Sequence, residues 1–168
     1  SGSRGITKLH DVKGLAEAID EAKAQGFEKE ALVEEFATGQ EYSIECVSWK
    51  GDHHFLAMTH KFTTGAPHFI ETGHMEPAPI SQEQLKQVKK VVFHALDSLE
   101  ITYGASHTEL KIAKDGTIAL IEIGGRMGGD FIGSNLVQLS TGIDFVKAVI
   151  DISLGEEPDL AVGDHAAA

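Results

Sequence analysis

Residues 107–130 read HTELKIAKDGTIALIEIGGRMGGD. Two apolar-rich runs flank Asp115-Gly116, and the second ends in Gly124, Gly125, Arg126, Gly128 and Gly129. An Asp-Gly pair in this setting signals a two-residue hairpin loop, because a type I′ turn needs positive φ at both central positions. A loop at 115–116 sets Lys114 opposite Thr117, Ile112 opposite Ala119, Leu110 opposite Ile121 and Glu109 opposite Glu122. The pleat then separates two faces. Leu110, Ile112, Ala119, Ile121 and Ile123 form a face that reads as buried. His107, Glu109, Lys111, Leu120, Glu122 and Gly124 form the other.

Directly opposed carboxylates destabilise a hairpin, since their Cβ atoms are only about 5 Å apart. The pair is tolerable if it shares a proton, or if a cation sits between the two groups. Oxygen ligands select a hard divalent ion. The rival reading is two solvated glutamates on an exposed strand. The residues just after Glu122 favour a ligand. Gly124 and Gly125 let backbone approach closely, and the Arg126 fork suits phosphate or carboxylate. Two acids, a cation and an arginine match a nucleotide phosphate.

Upstream, DVKGLAEAIDEAKAQG (11–26) predicts a helix capped by Asp11 and ended by Gly26, with Leu15 and Ile19 on one face. ALVEEF (31–36) predicts a short strand. EYSIECVSW (41–49) alternates with period two, Gly51-Asp52 reads as a turn, and HHFLAMTHKF (53–62) is the partner strand. HFIETGH (68–74) reads as a further strand. Ser81 and Gln84 form a capping box for a helix with Leu85, Val88, Val92, Ala95, Leu96 and Leu99 in one stripe. FIGSNLVQLS and IDFVKAVIDISLG predict two closing helices. Hairpins plus about four helices give an α+β class with a largely antiparallel sheet.

The 168 residues allow one domain or two small lobes. A net charge of −12 argues against nucleic-acid backbone binding, yet leaves room for a local nucleotide site. Cys46 is the only cysteine, which excludes an internal disulfide and a cysteine zinc cluster. No run of 18 apolar residues or signal peptide is present, so the expectation is a cytoplasmic protein with no membrane partner. The opening SGSRGITK lacks an initiator methionine, so a longer polypeptide is expected. His10, His53, His54, His60, His68 and His94 show no ligand spacing and read as surface or strand residues. Lys61 reads as a strand-end surface lysine, with contact to phosphate as the lesser alternative, Met127 as packing, and DEAKAQGFEKE as a solvated face and turn. His107 stands between a site contact and a structural hydrogen bond.

GGRMGG is not GxGxxG and comes after a hairpin rather than opening a βαβ unit. GxxxxGK[ST] is absent, as are HRD and DFG. ETGH, HTELKI, DGTIALIEIGGRMGGD and STGID, in that order, resemble the ATP-grasp superfamily, nearest its L-amino-acid ligase and biotin-carboxylase-like carboxylate–amine ligases. SGSRGITKLHD resembles the family's phosphate-covering loop, and LVEEFATGQEYSIE its adenine and ribose segment.

The resemblance implies ATP with Mg²⁺, or Mn²⁺ in its place, held by Glu109 and Glu122. It implies Arg126 on the transferred phosphoryl group, with Glu71 and His74 at the amino-acid site. Glu34, Glu35, Phe36 and Ala37 would meet adenine, Glu41 the ribose, and Ser1, Ser3 and Arg4 the phosphates, with His107 beside them. Lobes at 1–47 and 48–156 are expected, with 157–168 a tail or the start of a further region. The implied activity is ATP-dependent joining of a small carboxylate to an amine through an acyl-phosphate. A bicarbonate-phosphorylating carboxylase and a non-catalytic nucleotide-binding module are the alternatives. Two departures stand out. Gly124 replaces the asparagine of the family's E-x-N, and the family's lysine and N-terminal substrate region would precede Ser1. The chain is therefore expected to be the later part of a module that needs its N-terminal remainder for activity, with a homo-oligomer compatible.

Overall fold

The computed structural model describes residues 5–65 and 70–163, so Ser1, Ser3, Arg4 and His68 lie outside the described residues. Among the described residues five strands occur: β1 (Gln40–Trp49), β2 (Asp52–Thr63), β3 (Glu71–Met75), β4 (Gly104–Ile112) and β5 (Ile118–Gly124). The same residues form four α-helices: α1 (Leu15–Gln25), α2 (Gln82–Ser98), α3 (Val137–Thr141) and α4 (Phe145–Ser153). The strands form one sheet in the order β3-β2-β1-β4-β5, and the β1–β2, β1–β4 and β4–β5 pairs are antiparallel. The α+β, largely antiparallel expectation holds.

The chain divides into two compact units. The smaller comprises residues up to 37 together with 62–73, and the larger comprises 38–61 and 74 onward. In the smaller unit α1 buries no residue fully. Its N-cap is Gly14 in the left-handed region, while Asp11 accepts the Lys13 N–H at 2.7 Å instead of capping the helix. Residues 31–36 are not a strand. Leu32 and Val33 are exposed, so that segment gains no cross-strand burial to hold it extended.

In the larger unit α2 is the clearest element. Ser81 accepts the Gln84 N–H at 3.2 Å, as the capping box requires. Val88, Val92 and Leu96 are fully buried against Ile44, Cys46, Met58, Leu110 and Ile112. A second apolar cluster joins Val47, Trp49 and Ala57 to Val137, Phe145, Ala148 and Ile152. Helix α3 is preceded by a π-helical turn, Ile132–Leu136, and α4 is capped by Asp144 on the Lys147 N–H. The buried Glu76 carboxylate takes hydroxyls from Thr59 and Ser140, each at 2.6 Å, which ties α3 to the sheet.

Both hairpins depart from the expected loops. β1 and β2 turn at Lys50-Gly51, with φ of 54° and 87°, so that Trp49 faces Asp52. The β4–β5 loop is longer than two residues: the Ala113 N–H bonds Thr117 O at 2.9 Å and Gly116 N–H bonds Ala113 O at 3.0 Å. Ile112 therefore faces Ile118 and Leu110 faces Leu120. A bulge then shifts the register by one, and Glu109 faces Glu122 after all. The bulge leaves Ile121 exposed, while Ile118 and Ile123 pack on the core.

Candidate active site

Three strands of the larger unit set the site. Antiparallel pairing aligns Glu122, Glu109 and Ser43 in one row, and Gly124, His107 and Glu45 in the next. Partners in a row share a face of the sheet. Apart from Glu122, the polar residues of this face are largely shielded from solvent. Ser43 and Glu45 are fully buried, His107 is 3% exposed and Lys61 is 2% exposed.

Lys61 was expected on the surface, and its burial is the largest correction in the site. Its ammonium donates to Glu109 Oε1 at 2.8 Å and lies 3.4 Å from Glu41 Oε1. A lysine is buried only with compensating anions, and these carboxylates supply them. His107 Nε2 sits 3.3 Å from the same Glu109 oxygen, and its Nδ1 bonds Glu45 Oε1. The second oxygen of Glu45 accepts the Gly128 N–H at 2.9 Å.

These contacts set the charge states. The His107 hydrogen bond lowers the Glu109 pKa, burial opposes it, and Lys61 lowers it further, to about 2. Glu109 is thus a carboxylate at neutral pH. Burial pushes the His107 imidazole down, but its bonds to Glu109 and Glu45 outweigh that and hold it at about 9. Both contacts to Glu109 fall on Oε1. An ionised oxygen ligand facing the exposed carboxylate of Glu122 is a donor set that fits a hard divalent cation.

The loop after β5 packs on this network. A Cβ at position 128 would lie 2.5 Å from Glu45 Oε1 and 2.9 Å from His107 Nδ1, so only glycine fits. A Cβ at position 133 would lie 2.8 Å from Met127 Cβ. Between those points Asp130 and Phe131 both take positive φ, 48° and 62°, an uncommon state for such residues. Arg126 folds back over Gly124, where a Cβ would meet its Cγ at 3.3 Å. Its Nη1 donates to Met127 O at 2.9 Å, and Nη2 lies 3.9 Å from Glu122.

Of the other expected site residues, Glu41 lies 3.4 Å from Lys61 and 3.8 Å from Lys111, and His74 Nε2 lies 3.7 Å from Asp130 Oδ2. Glu34, Glu35, Phe36 and Ala37 lie in an irregular segment of the smaller unit, where Lys8 Nζ stands 3.7 Å above the Phe36 ring. Glu71 opens β3 and is exposed. Sequence reasoning missed Glu45 and Lys61. The available signal was positional: Glu45 pairs with His107 across the β1–β4 ladder, and Lys61 comes two residues after the Thr59 that pairs with Ser43.

A model of the ATP-grasp domain matches residues 1–134. Alanine–anticapsin ligase of Bacillus subtilis (strain 168) is 28% identical over 186 residues, covering 97% of this chain and 39% of the ligase. The crystal structure of an L-amino acid ligase from Bacillus licheniformis is 36% identical, with a TM-score of 0.66 over 70% of this chain and 30% of that one. A biotin carboxylase from Campylobacter jejuni, solved as a β,γ-ATP complex, shares the fold at a TM-score of 0.80 and 14% identity, over 95% of this chain and 36% of that one. The chain thus spans no more than 39% of the length of these three proteins.

Proposed function

The chain belongs to the ATP-grasp domain family, and from that premise we propose that it serves the ATP-dependent joining of a carboxylate to an amine. The observation that carries the reading is the pairing of Glu109 with Glu122 on adjacent strands, with Glu109 held as a carboxylate. These two acids would hold Mg²⁺ or Mn²⁺, whose charge when bound offsets that of the ATP phosphates. Arg126 would neutralise the γ-phosphoryl group as a substrate carboxylate oxygen bonds to phosphorus and ADP leaves. The product of that step is an acyl-phosphate. The amine nitrogen then attacks the acyl carbon, and inorganic phosphate departs with the bonding pair. Placing fixed charges around the transferring group is the main catalytic device open to a phosphoryl-transfer site.

The remaining roles rest on the family resemblance. Glu34, Glu35, Phe36 and Ala37 would bind adenine and Glu41 the ribose. Ser1, Ser3 and Arg4 would cover the phosphates. Glu71 and His74 would orient the amine, and His74 would accept its proton. An amino-acid-type carboxylate and amine are favoured over bicarbonate by the 36% identity to an L-amino acid ligase, whereas the carboxylase likeness at 14% identity reaches only the fold.

The test is ADP release by the protein in its full natural length, with ATP, Mg²⁺ and pairs of amino acids. Release should depend on both substrates and be lost in Glu122→Gln. Amino-acid-dependent release that survives this substitution overturns the metal assignment. Release that depends on bicarbonate alone moves the reading to a carboxylase, and ATP binding without turnover moves it to a non-catalytic module.

A further inference from the structure

Glu45 is a fully buried carboxylate with no role in the proposed ligase reaction. Its two oxygens are spent on different parts of the site: one bonds His107, whose far nitrogen reaches Glu109, and the other accepts the Gly128 N–H. Gly128 lies two residues after Arg126, in a loop that closes onto Glu45 and His107 so tightly that a Cβ would enter both contacts. Lys61 also bonds Glu109 and completes its restraint. A buried charge is costly unless such bonds satisfy it, and here every bond of Glu45 leads towards a group that meets the nucleotide.

We propose that Glu45 is a positioning residue that fixes the metal-binding acid Glu109, through His107, and the Arg126 loop, through Gly128, in one shared geometry. The inference rests on the ligase reading for what the positioned groups do, but the clamp itself is testable without turnover. Groups that orient a metal ligand from behind typically cost about 10–100-fold in metal affinity or activity when removed.

The probes are Glu45→Gln, which keeps the volume, and Gly128→Ala, which forces the loop away from an intact Glu45. Hydrogen exchange of the 125–133 amides, tracked by NMR without ligand, reads the clamp directly. Gly128 N–H should be protected in the natural protein and lose that protection in both variants, while the α2 amides stay protected. Mn²⁺ binding in the presence of ADP reads the consequence. Affinity should fall about tenfold or more in each variant, and the double variant should fall no further than the worse single one, because both act through one contact. Unchanged Gly128 exchange in Glu45→Gln overturns the clamp, whether or not the natural protein binds Mn²⁺ and ADP. Lost protection with affinity within about twofold, or additive losses, overturns the positioning role and leaves the ligase reading standing. If the natural protein binds no Mn²⁺ with ADP, the ligase reading fails and the inference fails with it.

Discussion

On one face of the sheet Ile44, Cys46, Met58, Leu110 and Ile112 pack against Val88, Val92 and Leu96 of α2. On the other, the same strands hold Glu45, Lys61, His107 and Glu109. Both faces are largely closed to water, since Leu96 and Glu45 are each fully buried. They differ in what burial demands. The apolar face is stabilised by removal of area from water, with little dependence on direction. The charged face is stable only while each group keeps its partner, so its geometry is specified bond by bond. The proposed role, which asks two acids and an arginine to keep a fixed relation, suits the second kind of surface better.

The largest expected effect tests the apolar side. Leu96→Ala should cost about 2–5 kcal/mol, read as a fall in the urea midpoint, because a fully buried leucine leaves a cavity behind. A loss under about 1 kcal/mol would mean α2 carries little of the fold. Lys61→Met comes next. Removing one partner of a buried ion pair costs about 3–5 kcal/mol, and partial exposure of Glu109 and Glu41 reduces that to about 2. An unchanged midpoint would show that the charged row contributes position and no stability.

The contrast also explains which parts were legible in the sequence. The stripe on α2 and its Ser81 cap could be read directly, because helical periodicity and a local cap need no tertiary information. The charged face could not. Period two in EYSIECVSW correctly assigns residues to faces, but it says nothing of the Gly128 loop and the neighbouring strands that keep Glu45 and Ser43 dry. Lys61 failed for the same reason. The Glu109–Glu122 pairing was reached by two omissions that cancel: the longer Ala113–Thr117 loop shifts the register one way, and the bulge before Glu109 shifts it back. Loop length and bulges are set by packing on both sides of a hairpin, which no two-residue signal encodes. Gly124 was seen as a close-approach glycine, but the group approached is the protein's own Arg126 side chain, and the tighter approach, of Gly128 to Glu45, was not seen.

A smaller effect distinguishes the faces by pH. His107 titrates at about 9, raised from 6.5, so its stabilising contribution is full below about 6.5 and is lost as pH rises through 9. Glu109 at about 2, lowered from 4.5, contributes fully above about 4.5 and loses that contribution as pH falls through 2. Urea midpoints should therefore decline between pH 6.5 and 9, and the decline should flatten in His107→Gln. The same slope in both proteins would place the titration elsewhere.

The smallest effect on stability belongs to the substitution expected to matter most for function. Glu122 is more than half exposed, and its nearest cation, Arg126 Nη2, is 3.9 Å away. An exposed pair of that length is worth at most about 1 kcal/mol, so Glu122→Gln should leave the urea midpoint within about 0.5 kcal/mol. Glu109→Gln should lower it clearly, because the buried Lys61 ammonium and the His107 imidazolium both lose a charged acceptor. Yet the proposed chemistry gives the two acids one task, and both variants should weaken Mn²⁺ binding in the presence of ADP. Equal losses of binding with unequal losses of stability would mean that the strand pairing divides the labour: Glu109 is anchored so that the ligand position is fixed, and Glu122 is left in water to meet the ion as it arrives. Normal binding in Glu122→Gln would confine the metal role to Glu109 and break the symmetry on which the facing pair was read.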